Sequence, residues 1–188
     1  LNDDQRAAVV AIVGRLGQGF APLLLHGVTG SGKTEVYIRA IRAAIADGGQ
    51  AILLAPEIAL ATQTLQRLAG RLPRVAVLHS QLTDAQRAFY YQQIRDGHAS
   101  VVIGPRSAVF APTRSLRLII VDEEHDASYK QDSAPRYHGR DVAIKRAHLA
   151  GVPIVLGSAT PSLESLLNAR RGRYTLVRLP ERVRGLPM

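Results

Sequence analysis

A single eight-residue segment constrains this chain more than any other part of its sequence. Residues 27–34 (GVTGSGKT) match the pattern G-x-x-x-x-G-K-[S/T] in full, and they lie between the apolar run 23–26 and a stretch of helical period. In a strand–loop–helix context, the glycines let the backbone curl so that successive N–H groups point inward at phosphate oxygens, and the helix start adds the positive end of its dipole. The segment therefore predicts a phosphate-binding loop at the carboxyl end of a strand.

The loop predicts a nucleoside triphosphate, which we expect to be ATP, together with Mg²⁺. Lys33 is predicted to reach the β- and γ-phosphates, and the Thr34 hydroxyl is predicted to bind Mg²⁺. Lysine is rare in this chain, since only three of its 24 basic residues are lysines. Its presence at position 33 suits a site that needs a compact charge rather than a planar fork. The other residues predicted to line the nucleotide in this loop are Gly27, Thr29, Gly30, Ser31 and Gly32.

Short apolar runs alternate with segments of helical period along the chain. Continuous runs of leucine and β-branched residues indicate strands buried on both faces, as in a parallel sheet. The alternation predicts an α/β fold, a doubly wound and mostly parallel sheet with helices on both faces, in which ligands gather at the carboxyl ends of the strands. The predicted strands are 23–26, 51–55, 75–78, 101–104, 118–121, 154–157 and 174–177, and the predicted helices are 33–47, 59–71, 83–96, 140–150 and 162–171, with a candidate capping box at Thr83 and Gln86.

Charge and composition narrow the classes of function. The 24 basic and 15 acidic residues give a net charge of +9, which favours polyanions, above all nucleic acid, although an arginine-rich composition alone would give the same charge. The chain has no cysteine, which excludes disulfides and thiolate metal sites within it. No apolar run reaches the roughly 18 residues of a membrane span, and the first residues do not resemble a signal peptide. We expect a cytoplasmic protein without membrane contact.

A second motif, Asp122-Glu123-Glu124-His125, directly follows the apolar run 118–121. At the end of a strand, such carboxylates can point into the phosphate crevice. We predict that Asp122 holds Mg²⁺ and that Glu123 positions or deprotonates the attacking water. Glu124 could belong to an acidic surface turn. For His125 we favour a link to the segment Ser158-Ala159-Thr160 over a metal site, because no cysteine or suitably spaced second histidine accompanies it.

These motifs resemble the first motor lobe of the superfamily-two DNA helicases and, more narrowly, the bacterial replication-restart helicases. Five segments carry the resemblance, 27–37, 56–60, 104–108, 122–125 and 137–141, and the match runs from residue 1 to about residue 187. The resemblance implies a RecA-like P-loop lobe over residues 1–179 and the start of a linker over 180–188. It also implies ATP-driven, 3′-to-5′ unwinding of DNA in replication restart and primosome assembly.

The resemblance assigns roles at the nucleotide site beyond the phosphate loop. Gln5 matches a glutamine that reads the adenine edge, although the same residue could be exposed on an amphipathic first helix. Ser158 and Thr160 match a Ser-Ala-Thr motif that couples the nucleotide site to DNA. Both are short hydroxyl residues after a buried strand, and there they can hydrogen-bond Asp122 and Glu123.

Loops after the other strands are expected to contact single-stranded DNA. Arg106 is the strongest candidate, because a guanidinium group suits phosphate oxygens. Thr62 and Gln63 are either DNA contacts or ordinary helix residues. His79 and Ser80 follow another strand and are expected to line the same edge of the sheet.

The polar segment 126–138 resembles the aromatic-rich loop that couples DNA occupancy to ATP hydrolysis. Tyrosine rings can stack on bases and basic side chains suit the DNA backbone, and we therefore predict DNA contacts from Tyr129, Lys130, Arg136 and Tyr137. Pro135 stands where members of that family often carry tryptophan, which leaves stacking to the two tyrosines. The alternative is a surface connection whose tyrosines pack on the lobe.

Two other functions compete with a DNA translocase lobe. One is a P-loop kinase for a small molecule, and the other is a platform that binds nucleotide without hydrolysing it. Motifs of a second motor lobe do not occur in these 188 residues, and we therefore expect weak nucleotide binding, little hydrolysis and no unwinding from them alone. The resemblance further implies a DNA-binding domain, a zinc module and a C-terminal domain elsewhere in the protein. Forked or single-stranded DNA, primosome proteins and single-strand-binding proteins are its implied partners.

Overall fold

The chain folds into a parallel sheet that helices cover on both faces. The computed structural model describes residues 1–46, 48–56 and 68–183. The strands are β1 (Ala21–Gly27), β2 (Gln50–Leu54), β3 (Val75–Val77), β4 (Val101–Gly104), β5 (Leu116–Asp122), β6 (Lys130–Gln131), β7 (Tyr137–His138), β8 (Pro153–Ser158) and β9 (Thr175–Leu179). The described helices are α1 (Asp3–Val13), α2 (Lys33–Ile45), α3 (Asp84–Arg95), α4 (Gly139–Ala150) and α5 (Leu163–Arg170), with 3-10 helices at Arg106–Phe110 and Ala127–Tyr129.

Seven of the described strands form one sheet in the order β3-β4-β2-β5-β8-β1-β9, and each neighbouring pair is parallel. The predicted doubly wound parallel sheet is therefore confirmed. The order places β5, β8 and β1 side by side, with Asp122 opposite Gly157 and Ser158 opposite His26. The loops that follow these three strands consequently leave the sheet at the same edge, although they are far apart in sequence.

Two apolar clusters cover the two faces of the sheet. Alternate residues of one strand enter different clusters, since Leu23 and Leu25 pack with α1 and α2, whereas Leu24 packs with α3 and α4. Because successive side chains of a strand point to opposite faces, burial on both faces requires continuous apolar runs. The runs seen in the sequence have this cause.

Most predicted elements differ from the structure by one or two residues at their ends. The capping box of α3 is confirmed, since the Thr83 side chain accepts from the backbone of Gln86 and the Gln86 side chain accepts from the backbone of Thr83. The predicted helix 59–71 lies mostly outside the described residues. Segment 126–138, which has no clear period, contains a 3-10 helix and an antiparallel hairpin of β6 and β7. Within the described ranges, the helices are too short or too polar to span a membrane.

Candidate active site

The phosphate loop connects β1 to α2 through two glycines with left-handed backbones. Gly30 and Gly32 have φ angles of 79° and 82°, which residues with a Cβ rarely adopt. Helix α2 begins at Lys33, immediately after Gly32. The Lys33 ammonium group donates to the Gly27 carbonyl oxygen at 3.0 Å and lies 3.7 Å from a carboxylate oxygen of Glu123. The lysine side chain thus folds back over the phosphate loop and lies beside the acidic motif.

A cavity of about 820 Å³ opens at this loop. Gln5, Asp122 and Glu123 line it together with residues of the loop, and Val183 lines it from the other end of the chain. Thr29, Gly30, Ser31, Gly32, Lys33 and Thr34 are the loop residues in its wall. Of the residues predicted to bind the nucleotide, Gly27 does not line this cavity, and its carbonyl oxygen accepts from Lys33 instead.

Gln5 is buried at the start of α1, which contradicts the alternative of an exposed position. Its side-chain oxygen accepts from the Asn2 backbone at 3.0 Å, and its side-chain nitrogen donates to the Ser31 carbonyl oxygen at 2.8 Å. A Cβ built on Gly32 would lie 2.2 Å from that nitrogen. Each end of the amide is thus bonded once within the chain and keeps one further position for an adenine edge, since a primary amide has two N–H donors and an oxygen with two lone pairs.

Asp122 ends β5 and is held by two tyrosines. The Tyr37 hydroxyl donates to its side chain at 2.8 Å, and the Tyr129 hydroxyl donates to its backbone carbonyl at 2.6 Å. Burial, and then the negative charge of Glu123, raise the pKa of Asp122 to about 6. A Cβ on Gly157 would lie 1.8 Å from the Tyr37 hydroxyl oxygen, so this glycine leaves the room that the tyrosine needs. Sequence reasoning missed the role of Tyr37; a tyrosine on the apolar face of α2 was the available signal, because a buried hydroxyl needs a partner.

Glu123 has a φ angle of 45°, in the left-handed region that non-glycine residues rarely occupy and that concentrates at functional sites. One carboxylate oxygen lies 3.7 Å from the Lys33 ammonium, and the other lies 3.7 Å from Nδ1 of His125. The turn therefore aims this side chain into the cavity, between a phosphate-binding lysine and a histidine.

His125 connects the acidic motif to the loop after β8. Its Nδ1 lies 2.7 Å from the Ser158 hydroxyl and its Nε2 lies 3.2 Å from the Thr160 hydroxyl. The Thr160 backbone also donates to the Ser158 hydroxyl at 2.9 Å. We expect from the sequence that both hydroxyls bond Asp122 and Glu123. Among the described hydrogen bonds they bond His125 instead, because the histidine lies between the two motifs. The coupling role of these residues stays a prediction.

Glu124 is fully buried, and the alternative of an acidic surface turn is wrong for it. Its carboxylate accepts from the Ser162 backbone at 2.7 Å, from the Ser162 and Ser165 hydroxyls at 3.1 and 3.0 Å, and from the Arg140 guanidinium at 3.0 Å. Arg140 lies at the start of α4, directly after β7, and the two serines lie at the start of α5. This carboxylate therefore fastens the acidic turn to two helix starts.

Arg106 joins the 3-10 helix after β4 to the hairpin segment. Its guanidinium donates to the Ser128 carbonyl oxygen at 2.6 Å and to the Gln131 side chain at 3.2 Å. It also lines a cavity of about 270 Å³, together with His79 and Ser80 after β3. Arg87 and Tyr91 of α3, which sequence reasoning did not select, line the same cavity.

The residues predicted to contact DNA in segment 126–138 divide into buried and exposed ones. Tyr129 is fully buried, and the prediction that it stacks on a base is wrong, because its ring has no exposed face and its hydroxyl is bonded to Asp122. Tyr137 is partly buried, and its ring meets Phe110 edge to face at 5.3 Å. Lys130 and Arg136 are exposed. The other predicted contacts, Thr62 and Gln63, lie outside the described residues.

Residues 180–183, predicted to begin a linker, lie against the phosphate loop. The Val28 backbone donates to the Leu179 carbonyl oxygen at 3.3 Å, and the Val183 backbone donates to the Gly30 carbonyl oxygen at 3.0 Å. The chain after β9 therefore crosses the loop and lines the nucleotide cavity.

The donor set at the cavity fits Mg²⁺. In the part of the chain that the structure describes, no group of three or more His, Cys, Asp or Glu residues is placed to hold a metal. Mg²⁺ bound with a nucleotide takes one or two carboxylates, phosphate oxygens and waters. The hydroxyl of Thr34 and the carboxylate of Asp122, which share the cavity wall, suffice for this kind of site.

The sequence profile of the DEAD/DEAH box helicases matches residues 2–169. The replication restart protein PriA of Bacillus subtilis is 48% identical over 97% of this chain, which covers 23% of that protein. PriA of Treponema pallidum is 47% identical over 98% of the chain and 28% of its own length, so the chain spans about a quarter of these relatives. Among solved structures, RecG bound to a three-way DNA junction matches all of this chain and 25% of its own with a TM-score of 0.74 and 25% identity. The helicase domain of Pyrococcus furiosus Hef shares the fold, with a TM-score of 0.64 and 18% identity over 95% of this chain and 38% of its own.

Proposed function

Because the chain belongs to the DEAD/DEAH box helicase family, we propose that it is the first, ATP-binding motor lobe of a DNA helicase similar to PriA. One observation carries the proposal. The carboxyl ends of the neighbouring strands β1, β5 and β8 bring together the phosphate loop, the acidic pair and, through His125, the Ser-Ala-Thr loop. A nucleotide bound there would touch the first two directly and influence the third through one side chain.

Lys33 and the backbone of the loop would bind the β- and γ-phosphates of ATP. To reach them, Lys33 exchanges its bonds to Gly27 and Glu123 for phosphate oxygens. Thr34 and Asp122 would hold Mg²⁺, whose charge offsets that of the phosphates. Glu123, released from Lys33, is then free to orient a water molecule for attack. Gln5 would bind the adenine edge through the N–H and the lone pair of its amide that the bonds to Ser31 and Asn2 leave open.

His125 would couple the nucleotide site to the surface that contacts DNA. A shift of Glu123 toward water changes its contact with His125, and the two hydroxyls bonded to the imidazole then rearrange. The pair of Glu124 and Arg140 offers a second connection, since Arg140 directly follows the hairpin of β6 and β7. Arg106, Lys130, Arg136 and Tyr137 would contact the DNA. Replacing Tyr137 by alanine should then lower DNA-stimulated turnover in the longer protein and leave nucleotide affinity unchanged.

The similarity to PriA supports further proposals about the activity, partners and location of the whole protein. We propose that it unwinds forked or single-stranded DNA in the 3′-to-5′ direction, that it contacts primosome and single-strand-binding proteins, and that it is cytoplasmic. Zinc would belong to another part of the protein. A small-molecule kinase, the competing function, is not favoured, because the relatives and the family are helicases.

Binding of a fluorescent ATP analogue to the 188-residue chain with Mg²⁺ tests the nucleotide site. We expect weak, saturable binding that K33A lowers about ten- to hundredfold, since a charged hydrogen bond contributes roughly 1.5–3 kcal/mol. K145A is the matched control, because Lys145 is exposed on α4 and does not line the cavity. Equal binding by wild type and K33A would contradict the proposal.

A further inference from the structure

An exposed aromatic ring lies at the end of the 3-10 helix that follows β4. Phe110 is 57% exposed, while its predecessors Ala108 and Val109 are fully buried. The helix is therefore anchored by its small side chains and presents its largest one to the outside. The ring takes no part in the nucleotide site, because Phe110 does not line the nucleotide cavity.

The ring does not stand alone. Tyr137 of β7 meets it with centroids 5.3 Å apart and an interplanar angle of 75°, a favourable edge-to-face geometry. Two arginines hold the helix in place. Arg106, at its start, bonds Ser128 and Gln131 of the hairpin segment, and Arg146 of α4 bonds the Ala111 carbonyl oxygen and the Thr113 hydroxyl at 2.7 Å each. The two rings thus come from separate elements that are fastened to each other.

The hairpin that carries Tyr137 has more basic than acidic residues. Lys130 and Arg136 are exposed on the hairpin that carries Tyr137. The acidic residue in that hairpin is Asp132, whose carboxylate pairs with Lys130 at 3.0 Å and whose backbone carbonyl accepts from Arg136 at 3.1 Å. An exposed ring in contact with a hairpin that carries cationic groups, on a chain of net charge +9, matches the combination that binds single-stranded nucleic acid, in which bases stack on aromatic faces and basic side chains follow the backbone.

We infer that Phe110, backed by Tyr137, is a stacking surface for a base of single-stranded nucleic acid. The inference rests on the proposed function and adds to it a contact that no helicase motif identified in the sequence includes. The exposed face of Phe110 takes the base, the edge contact with Tyr137 keeps the ring oriented, and the basic side chains of the hairpin take the adjoining phosphates.

The absence of tryptophan from the chain permits a direct test. F110W places one indole at the proposed contact, and F89W places one at a matched control position. Phe89 is also 57% exposed and also meets a tyrosine edge to face, at 5.8 Å. It lies two residues after Arg87 on α3, about 200° around the helix from the side that lines the Arg106 cavity.

Each variant of the 188-residue chain is titrated at low salt with a thymidine oligonucleotide and with an abasic oligomer of the same length. Stacking predicts that the thymidine oligonucleotide quenches F110W fluorescence, that the abasic oligomer does not, and that F89W responds to neither. In anisotropy measurements, F110A should weaken binding of the labelled thymidine oligonucleotide about five- to hundredfold, the usual effect of losing one stacked base.

Three results would overturn the inference. They are unchanged F110W fluorescence while anisotropy reports binding, equal quenching by the abasic oligomer, and no binding of the thymidine oligonucleotide up to about 10⁻⁴ M, the weak end of non-specific affinities. Each leaves the ATP-analogue experiment intact, so failure of this surface is distinguishable from failure of the nucleotide site. The first would assign the ring to packing against another part of the protein.

Discussion

The nucleotide cavity and the buried network behind it meet at two adjacent glutamates. Glu123 lines the cavity on a left-handed backbone and has loose, 3.7 Å contacts with Lys33 and His125. Glu124 is sealed from solvent and accepts four hydrogen bonds, one of them from Arg140. The two side chains have the same chemistry, yet one is placed so that it can exchange partners and the other so that it cannot.

This difference shows how the fold can combine a side chain that is free to change partners with a turn that is held in place. A side chain with partly open contacts can reorganise around a ligand at low cost, whereas a buried carboxylate that accepts four hydrogen bonds holds its turn in place. The left-handed φ of Glu123 is maintained because Glu124 anchors the next residue to α4 and α5. We therefore expect changes at Glu124 to lower stability strongly, and changes at Glu123 to act mainly on the chemistry of the site, with only a small effect on stability.

The largest effect on stability is predicted for E124A. Removal of this carboxylate leaves the Arg140 guanidinium, 13% exposed, without its buried partner, and we expect the free energy of unfolding to fall by about 3–5 kcal/mol. Chemical denaturation of the 188-residue chain measures the change. E164A, which removes an exposed glutamate of α5, should stay within about 0.5 kcal/mol of wild type. Similar values for the two variants would show that the Glu124 network does not anchor the turn.

An intermediate effect is predicted for D122N, and its size depends on pH. The pKa of Asp122 is raised from 3.8 to about 6 in the fold, so the folded chain binds more protons than the unfolded chain between these values. The stability that this carboxyl contributes is therefore complete below about pH 4 and is lost as pH rises through about 6. Relative to wild type, D122N should gain roughly 2–3 kcal/mol between pH 4 and pH 7.

Denaturation of both proteins in the presence of a chelator, from pH 4 to pH 7, checks this prediction. Y37F is a useful companion, because the Tyr37 hydrogen bond lowers the pKa of Asp122 and its loss should move the transition to higher pH. A difference between D122N and wild type that does not change with pH would mean that Asp122 ionises as it does in the unfolded chain.

The smallest effect on stability, and one of opposite sign to that of E124A, is predicted for E123G. Glycine tolerates a φ of 45°, so the free energy of unfolding should rise by about 0.5–1 kcal/mol, the relief of strain less the added entropy of the unfolded chain. E123A keeps the strain and should show no gain, although it loses the same carboxylate. A loss of stability in E123G would indicate that the contacts of Glu123 outweigh its strain.

The contrast between the two glutamates also shows which features of the site could be predicted from the sequence and which could not. The phosphate loop and the strands follow from local patterns of glycine and apolar residues, and the structure confirms the parallel sheet. The environment of Glu124 depends on Arg140 and Ser162, which only the fold brings near, and an acidic dipeptide carries no sign of which member is buried. Tyr129 was misassigned for a similar reason, since a polar segment suggested exposure while its hydroxyl reaches Asp122 across the edge of the sheet.

ATP hydrolysis by the longer protein that contains this lobe tests the central claim most directly, when it is measured with and without single-stranded DNA. If the lobe is half of a DNA-driven motor, hydrolysis should rise on addition of DNA and should be abolished by K33A under both conditions. Hydrolysis that ignores DNA, or that survives K33A, would contradict the account.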